Sequence, residues 1–331
     1  MRPGSEGYHN EVGFLRELLK ALPELQGSDM PDIVLHDYDP LLDSANMSPA
    51  NWEMIAADII RRHNEFDGFV IIHGTDTITY TASALSFLLD GLSKPVVLTG
   101  AQIPLCRVRS DGRPNLIDAI LIAAHEPIAE VCIVFGDRVL RGNRTVKMSA
   151  DDLDAYRSPN FPQLGRAGTS IEINHSLLRP HDGTPIRQRP LRHAHVAALQ
   201  LFPGITGATV RNATQAPLQG LVILAYGSGN GPADADDLID AISDACDRGV
   251  VVAMGSQCAE ATVQLGSYAT SGAFEAAGAI GVGDMTPEAA LTKLYYLLAM
   301  GLPSEAVRTF MPLNLKGEIT APADDLPNDI E

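Results

Sequence analysis

The sequence predicts an α/β protein in two parts: a larger N-terminal domain built on a parallel sheet, and a smaller C-terminal α/β domain. Three observations predict it. Apolar runs at 69–72, 95–99 and 131–135 alternate with stretches of helical spacing, the pattern of three βα units in a doubly wound parallel sheet. From His175 to His195 the chain turns Pro-, Arg- and His-rich and loses its periodicity. A second strand-and-helix series then begins. We therefore expect domains at residues 1–174 and 196–331, joined by a linker at 175–195.

In order, Glu11 to Leu22 has helical spacing through Phe14, Leu15, Leu18 and Leu19, and Pro23 stops it. Ile33-Val34-Leu35 reads as a short strand leading to the polar turn Leu42-Asp43-Ser44-Ala45-Asn46-Met47. Ser48-Pro49 supplies an N-cap followed by Pro at the first helical position, and the helix behind it would bury Trp52, Ile55, Ile59 and Ile60. The strand at 69–72 feeds a helix from Tyr80 to Leu89, with Gly91 as its stop. Residues 101–113 lack periodicity. Asn115 to Ala124 reads as a helix, Val131 to Phe135 as a strand. In the second half, strands are expected at Val196 to Phe202, Leu221 to Ala225 and Val250 to Met254. Helices are expected at Ala233 to Cys246, Pro287 to Leu298 and Ser304 to Met311.

A length of 331 residues, 45% hydrophobic residues and a mean hydropathy of +0.04 describe a globular chain with a large core. The net charge of −17 argues against a nucleic-acid partner, which needs a basic footprint. No window is long enough to span a bilayer and the N-terminus has no apolar leader segment, so a cytoplasmic location is expected. The cysteines at 106, 132, 246 and 258 are scattered and form no CxxC pair, and the four linker histidines (His175, His181, His193, His195) are irregularly spaced. No metal is expected. Lysine is scarce, at positions 20, 94, 147, 293 and 316, so each one merits individual attention.

The stretch His73-Gly74-Thr75-Asp76-Thr77 stands where the strand at 69–72 gives way to a helix. That places its polar groups at the carboxyl end of the sheet, where open α/β folds bind ligands. A helix cap would account for one polar side chain here, but not for Thr-Asp-Thr preceded by His. Asp43-Ser44 and Lys147 occupy similar strand-end positions. Together these turns offer an alcohol, a carboxylate and an amine. A threonine hydroxyl is a weak nucleophile or proton relay until a base takes its proton; a partly desolvated lysine can be that base, and an aspartate can hold it in place. Lys147 in a surface ion pair is the plainer alternative. Tyr226-Gly227-Ser228-Gly229-Asn230-Gly231-Pro232 is a poor dinucleotide loop, because Pro232 stands where the third glycine is needed; a turn admitting a small ligand fits better.

Gly68-x-Val70-x-x-His73-Gly74-Thr75-Asp76-Thr77 resembles a signature of the asparaginase/glutaminase family. Thr99-Gly100-Ala101-Gln102-Ile103-Pro104 with Arg109-Ser110-Asp111-Gly112, and Arg141-Gly142-Asn143-Arg144-Thr145-x-Lys147, are similar to its next blocks. Leu42-Asp43-Ser44, Tyr226-Gly227-x-Gly229-Asn230 and Asp284-Met285-Thr286-x-Glu288-Ala289 extend the likeness along almost the whole chain. The cytoplasmic, type I bacterial L-asparaginases are the group it resembles.

The resemblance implies a flavodoxin-like larger domain and hydrolysis of L-asparagine to L-aspartate and ammonia, without cofactor, through an acyl-enzyme on a threonine. It implies that Thr75, Asp76 and Lys147 form the catalytic group and that Asp43 and Ser44, with Thr75 and Asp76, hold the substrate's charged ends. Tyr8 matches a tyrosine on a loop that closes over the site, and Tyr226 to Asn230 match a dimer-interface segment, so a homodimer or homotetramer is expected.

The family begins with a strand ending in Thr-Gly-Gly-Thr-Ile, whose last threonine is the usual first nucleophile. Nothing of the kind precedes Gly7-Tyr8. The first strand of the sheet and the primary nucleophile are therefore expected upstream of Met1, and a chain that truly starts at Met1 is expected to hydrolyse little. Ala45 replaces a small polar residue common in relatives. Leu224 stands where an allosterically regulated relative has arginine. Two further readings remain: a non-catalytic binder of a small amino acid, and the amidase subunit of a tRNA-dependent amidotransferase.

Overall fold

A computed structural model of the chain describes residues 2–4, 7–9, 11, 13–181, 183–266 and 269–320. Contacts divide the chain into two compact units, Met1–Ser158 with Pro162–Gln188, and Pro159–Phe161 with Arg189–Glu331. The boundary at 188/189 falls inside the stretch read as linker. Within that stretch His175–Leu177 forms one 3₁₀ turn, and Arg187 pairs with Asp90 of the first unit at 2.9 Å.

In the first unit, β1 (Arg2–Gly4) and β2 (Gly7–His9) pair as a small antiparallel ribbon, followed by α1 (Phe14–Lys20). The expected strand at Ile33-Val34-Leu35 is not formed. These residues are irregular, with Ile33 45% and Val34 65% exposed, and Arg16 donates to the Leu35 carbonyl. Three apolar residues gain little from extension unless another strand satisfies their backbone groups, and no described strand lies alongside them. Helix α2 (Pro49–Arg62) starts as its sequence dictates. Pro49 takes the first position, the Ser48 amide donates to Asn51 Oδ1 at 2.9 Å, and Ile55 and Ile59 point inward.

The main sheet then builds through β3 (Phe69–Ile72), α3 (Ile78–Leu88), β4 (Val96–Thr99), α4 (Gly112–His125) and β5 (Val131–Phe135). β3, β4 and β5 run parallel, as the three βα units require. Val96 and Leu98 pack with Ile55, Ile78 and Leu85 in one core. Gly68 backs so closely onto α4 that a Cβ there would lie 2.0 Å from the Ala123 carbonyl. The continuous apolar runs follow from burial on both faces. β3 forms one edge of the sheet, with no described strand on its outer side, and Ile72 is 40% exposed there.

Beyond β5 the sheet changes sense. Gly136, at φ 62°, makes the tight turn that folds β6 (Arg138–Arg141) back antiparallel on β5. After the short pair β7 (Val146–Lys147) and β8 (Tyr156–Arg157), strands β9 (Gly165–Ala167) and β10 (Ile171–Ile173) extend it to the order β10-β9-β6-β5-β4-β3. The parallel sheet expected from the sequence is thus the half that carries the strand-end turns, and the hairpin half follows from turn geometry that apolar spacing does not register.

The second unit is a four-stranded parallel sheet in sequential order: β11 (Val196–Gln200), α5 (Gly207–Ala213), β12 (Gly220–Ala225), α6 (Asp236–Asp247), β13 (Val251–Ser256), α7 (Ala269–Ala276), β14 (Ile280–Gly281). α8 (Pro287–Ala299) follows, with Pro287 in its first turn and Thr286 Oγ1 capping the Ala289 amide, and then α9 (Ser304–Phe310). Gly220 lets α8 approach β12, since a Cβ there would lie 2.8 Å from Leu294 and Leu298. The segment after α9 returns to α8, where Glu318 forms a fully buried ion pair with Lys293 at 2.5 Å.

Candidate active site

β3 ends at Ile72, and the chain turns through His73–Thr77 before α3 begins at Ile78. Glycines let neighbouring atoms press in on both sides of this turn. A Cβ on Gly74 would meet Ser44 Oγ at 2.2 Å, and one on Gly100 would meet the His73 carbonyl at 2.4 Å. Thr77 Oγ1 donates to the Ser44 carbonyl at 2.6 Å, tying the Asp43-Ser44 turn to the strand end. Asp43 caps that turn, its Oδ1 accepting from the Ala45 amide at 3.0 Å. Ser44 is therefore brought to the site directly. Asp43 flanks it, engaged with its own turn.

Lys147 reaches the turn from β7. Its Nζ lies 2.9 Å from Thr75 Oγ1 and 2.7 Å from Asp76 Oδ1. The three residues that the sequence singled out thus converge across 71 and 72 positions of chain. Asp76 is 72% exposed, so the pair reaches the surface, while the lysine side chain itself is only 17% exposed. Its ammonium is held at the site, whereas an exposed lysine would lose most of such a bond to solvent. Tyr8 lies on β2, paired in register with Pro3; its side chain is outside the described residues.

Four side chains, Tyr156, His73, Thr81 and Trp52, shape the turn; the sequence marked His73 within the polar turn and Trp52 as a buried helix residue, and apolar periodicity signals neither Tyr156 nor Thr81. Tyr156, directly across the ribbon from Lys147, donates its hydroxyl to the Thr75 carbonyl at 2.5 Å. His73 Nδ1 lies 2.7 Å from the Gly74 carbonyl, so that nitrogen carries the proton, and Nε2 accepts from Thr81 Oγ1 at 2.9 Å. Trp52 Nε1 in turn donates to Thr81 Oγ1 at 3.2 Å. Burial keeps the His73 pKa below its usual value, although its bond to Gly74 pulls the other way; the ring is neutral and serves as a brace. A sequence signal for Tyr156 does exist: the acidic loop Asp151–Asp154 between Lys147 and Ala155-Tyr156 has the shape of a hairpin tip.

Several motif residues at 99–115 brace the loops around the site. Asp111 accepts from the amides of Gln102 (3.0 Å) and Ile103 (2.9 Å), and Asn115 donates to the Gly100 carbonyl at 3.0 Å. Gln102 Nε2 donates to the carbonyls of Ala150 (2.9 Å) and Asp152 (3.0 Å), bracing the loop that joins Lys147 to Tyr156. In the second unit, Gly227 and Gly229 take positive φ in the turn that pairs Tyr226 with Asn230.

Comparison with known proteins finds relatives over both halves of the chain. The family model "Asparaginase, N-terminal" matches residues 1–179, and "Glutaminase/Asparaginase C-terminal domain" matches 195–311. The chain belongs to the asparaginase family. L-asparaginase 1 of Escherichia coli K12 is 44% identical over 97% of this chain and 94% of its own length. Among solved structures, L-asparaginase I from Vibrio cholerae matches with TM-score 0.89 at 42% identity, covering 94% of both chains. The thermostable L-asparaginase from Thermococcus kodakarensis matches with TM-score 0.87 at 30% identity, covering 97% of this chain and 96% of its own. Both structures are similar to this asparaginase-family chain over nearly its entire length, so both halves of the fold are shared with them.

Proposed function

We propose that this chain hydrolyses the side-chain amide of L-asparagine, with Thr75, Lys147 and Asp76 as the reacting group. The observation that carries the reading is the 2.9 Å approach of Lys147 Nζ to Thr75 Oγ1, with Asp76 holding the same nitrogen at 2.7 Å. Relatives that bear the name L-asparaginase over almost the whole chain support the substrate.

In the resting arrangement the ammonium donates to both partners. Once it has given up a proton, its lone pair faces the threonine oxygen and can take the hydroxyl hydrogen. The alkoxide then either adds to the amide carbon itself or draws a proton from the oxygen that does. As the tetrahedral intermediate collapses, the C–N bond breaks and the lysine returns its proton to the departing nitrogen, releasing ammonia. Water splits the threonine ester by the same proton path and releases L-aspartate. Asp43, Ser44 and Asp76 are the groups we assign to the substrate's α-amino and α-carboxylate ends, with Tyr8 covering them. The sequence Thr-Gly-Gly-Thr does not occur in the 331 residues, so Thr75 is the threonine of the group that they supply.

The test is ammonia release from asparagine by the chain, alone and extended by its preceding in-frame codons, beside Thr75→Val and Lys147→Met. Both variants are expected to lose most of the rate. Near-normal rates in both would remove the assignment. Isothermal titration with asparagine separates an enzyme from a binder, because binding without turnover in the extended chain would favour the latter. By the same resemblance we assign a homodimer or homotetramer in the cytoplasm, checked by light scattering and by cell fractionation. No described helix is long and apolar enough to cross a membrane.

A further inference from the structure

We propose that Tyr156 is a positioning residue for Thr75: its hydroxyl fixes the threonine backbone so that the threonine oxygen stays within reach of Lys147. The inference rests on the reading of Thr75 and Lys147 as reacting groups. Lys147 and Tyr156 are direct cross-strand partners in the β7–β8 ribbon, so their side chains leave the same face. Both end on one residue. The amine meets the Thr75 hydroxyl at 2.9 Å, and the phenol donates to the Thr75 carbonyl at 2.5 Å. Thr75 is thus gripped at its side chain and its main chain by a single two-residue-wide ribbon.

The grip is stiff at the tyrosine end. Tyr156 is 1% exposed, and its ring meets Phe135 edge-on with centroids 4.8 Å apart. The Met148 amide donates to the Ala155 carbonyl at 2.7 Å, Ser149 Oγ accepts from the Asp152 amide at 2.9 Å, and Arg138 holds Asp154 at 3.1 Å. Lysine, by contrast, hangs from four rotatable bonds. A flexible amine finds a hydroxyl reproducibly only if the hydroxyl is held, and Tyr156 supplies the fixed reference. Burial, together with the negative charge of Asp76, pushes the phenol's pKa above its ordinary range, so it remains a donor at working pH and carries no proton in the reaction.

An anchoring role alone is the competing explanation, in which the ring holds the ribbon to the core and the hydroxyl merely satisfies a carbonyl. Tyr156→Phe keeps the ring and removes the hydroxyl, and Tyr156→Leu removes both. The experiment measures kcat, KM and pH profile for asparagine with these two variants, Thr75→Val and Lys147→Met, in the full chain. It also follows the Lys147 signal in chain labelled with ¹³Cε-lysine, where five lysines give a spectrum that Lys147→Met assigns. For Tyr156→Phe we expect kcat to fall about tenfold to hundredfold with KM within about twofold. The limbs of the pH profile should stay in place, and at fixed pH the Lys147 ¹³Cε resonance alone among the five should move. Anchoring predicts a Phe variant with unchanged kcat and an unmoved Lys147 signal, with only the Leu variant impaired; that result overturns the proposal. A displaced alkaline limb would overturn it too, by making the phenol a proton donor. If Thr75→Val and Lys147→Met keep normal rates, the reading of the site fails instead, and the Lys147 signal still reports whether Tyr156 positions Thr75.

Discussion

Thr81, in the first turn of α3, gives its hydroxyl hydrogen to Nε2 of His73 across 2.9 Å. The direction follows from the other side of the ring, where a carbonyl 2.7 Å away can only accept and so fixes the proton on Nδ1. The Gly74 carbonyl therefore sets the tautomer of the residue that begins the site turn, and the helix that follows supplies the matching donor. Trp52, from α2, completes the chain of donors.

Removing one link should leave a buried acceptor without its donor. Thr81→Val is isosteric but strips the hydroxyl from Nε2, and should cost about 1–3 kcal/mol of stability. Thermal unfolding followed by circular dichroism measures it. An unchanged midpoint would show that the imidazole does not depend on Thr81.

The same ring makes a pH prediction. Its folded pKa lies below the ordinary 6.5, first because it is buried. As pH falls through that value, the unfolded chain takes up the proton first, so stability is lost from there downward and levels off below the folded pKa. Melting temperatures from about pH 8 to about pH 5 should therefore fall more steeply for the native chain than for His73→Gln. Parallel curves would show that His73 does not contribute to the slope.

Lys147→Arg separates a base from a structural cation. Arginine preserves the charge beside Asp76 but stays protonated. We expect it to lose about 10²–10⁴ in kcat, much as Lys147→Met does, while leaving the fold intact. Activity within a few-fold of the native chain would mean that position 147 acts by charge alone.

In the second unit, Lys293 and Glu318 are both 0% exposed. Burial alone would raise the Glu318 pKa, but the lysine charge and the amides of Leu315 and Lys316 outweigh it and hold the carboxyl below its ordinary range. Lys293→Met leaves that carboxylate unpaired and should cost about 3–5 kcal/mol, most of it recovered in Lys293→Met/Glu318→Leu. Denaturant unfolding of the single and double variants tests this. A double variant no better than the single would indicate that the segment 313–320 needs its carboxylate for other contacts.

Much of the site could be read along the chain, because its pieces are local. A strand that stops at Ile72 and a helix that starts at Ile78 put Thr75 and Asp76 at a sheet end wherever the sheet sits. The scarcity of lysine marked Lys147 before any contact was known. Three apolar runs divided by helical spacing fixed the parallel half of the sheet, since burial on two faces demands such runs. Ile33-Val34-Leu35 carries the same local signal and is no strand, because a strand is completed by a neighbour and not by its own side chains.

Only the tertiary structure decided what holds Thr75 and Lys147 in place. The bond from Tyr156 to Thr75 spans 81 residues, and that from Lys147 spans 72. Periodicity records which way a side chain faces within a few residues. It carries no information about which distant face arrives opposite. That Tyr156 stands across from Lys147, and that Thr81 donates to His73, follow from register and helix docking, which exist only once the sheet has closed around them.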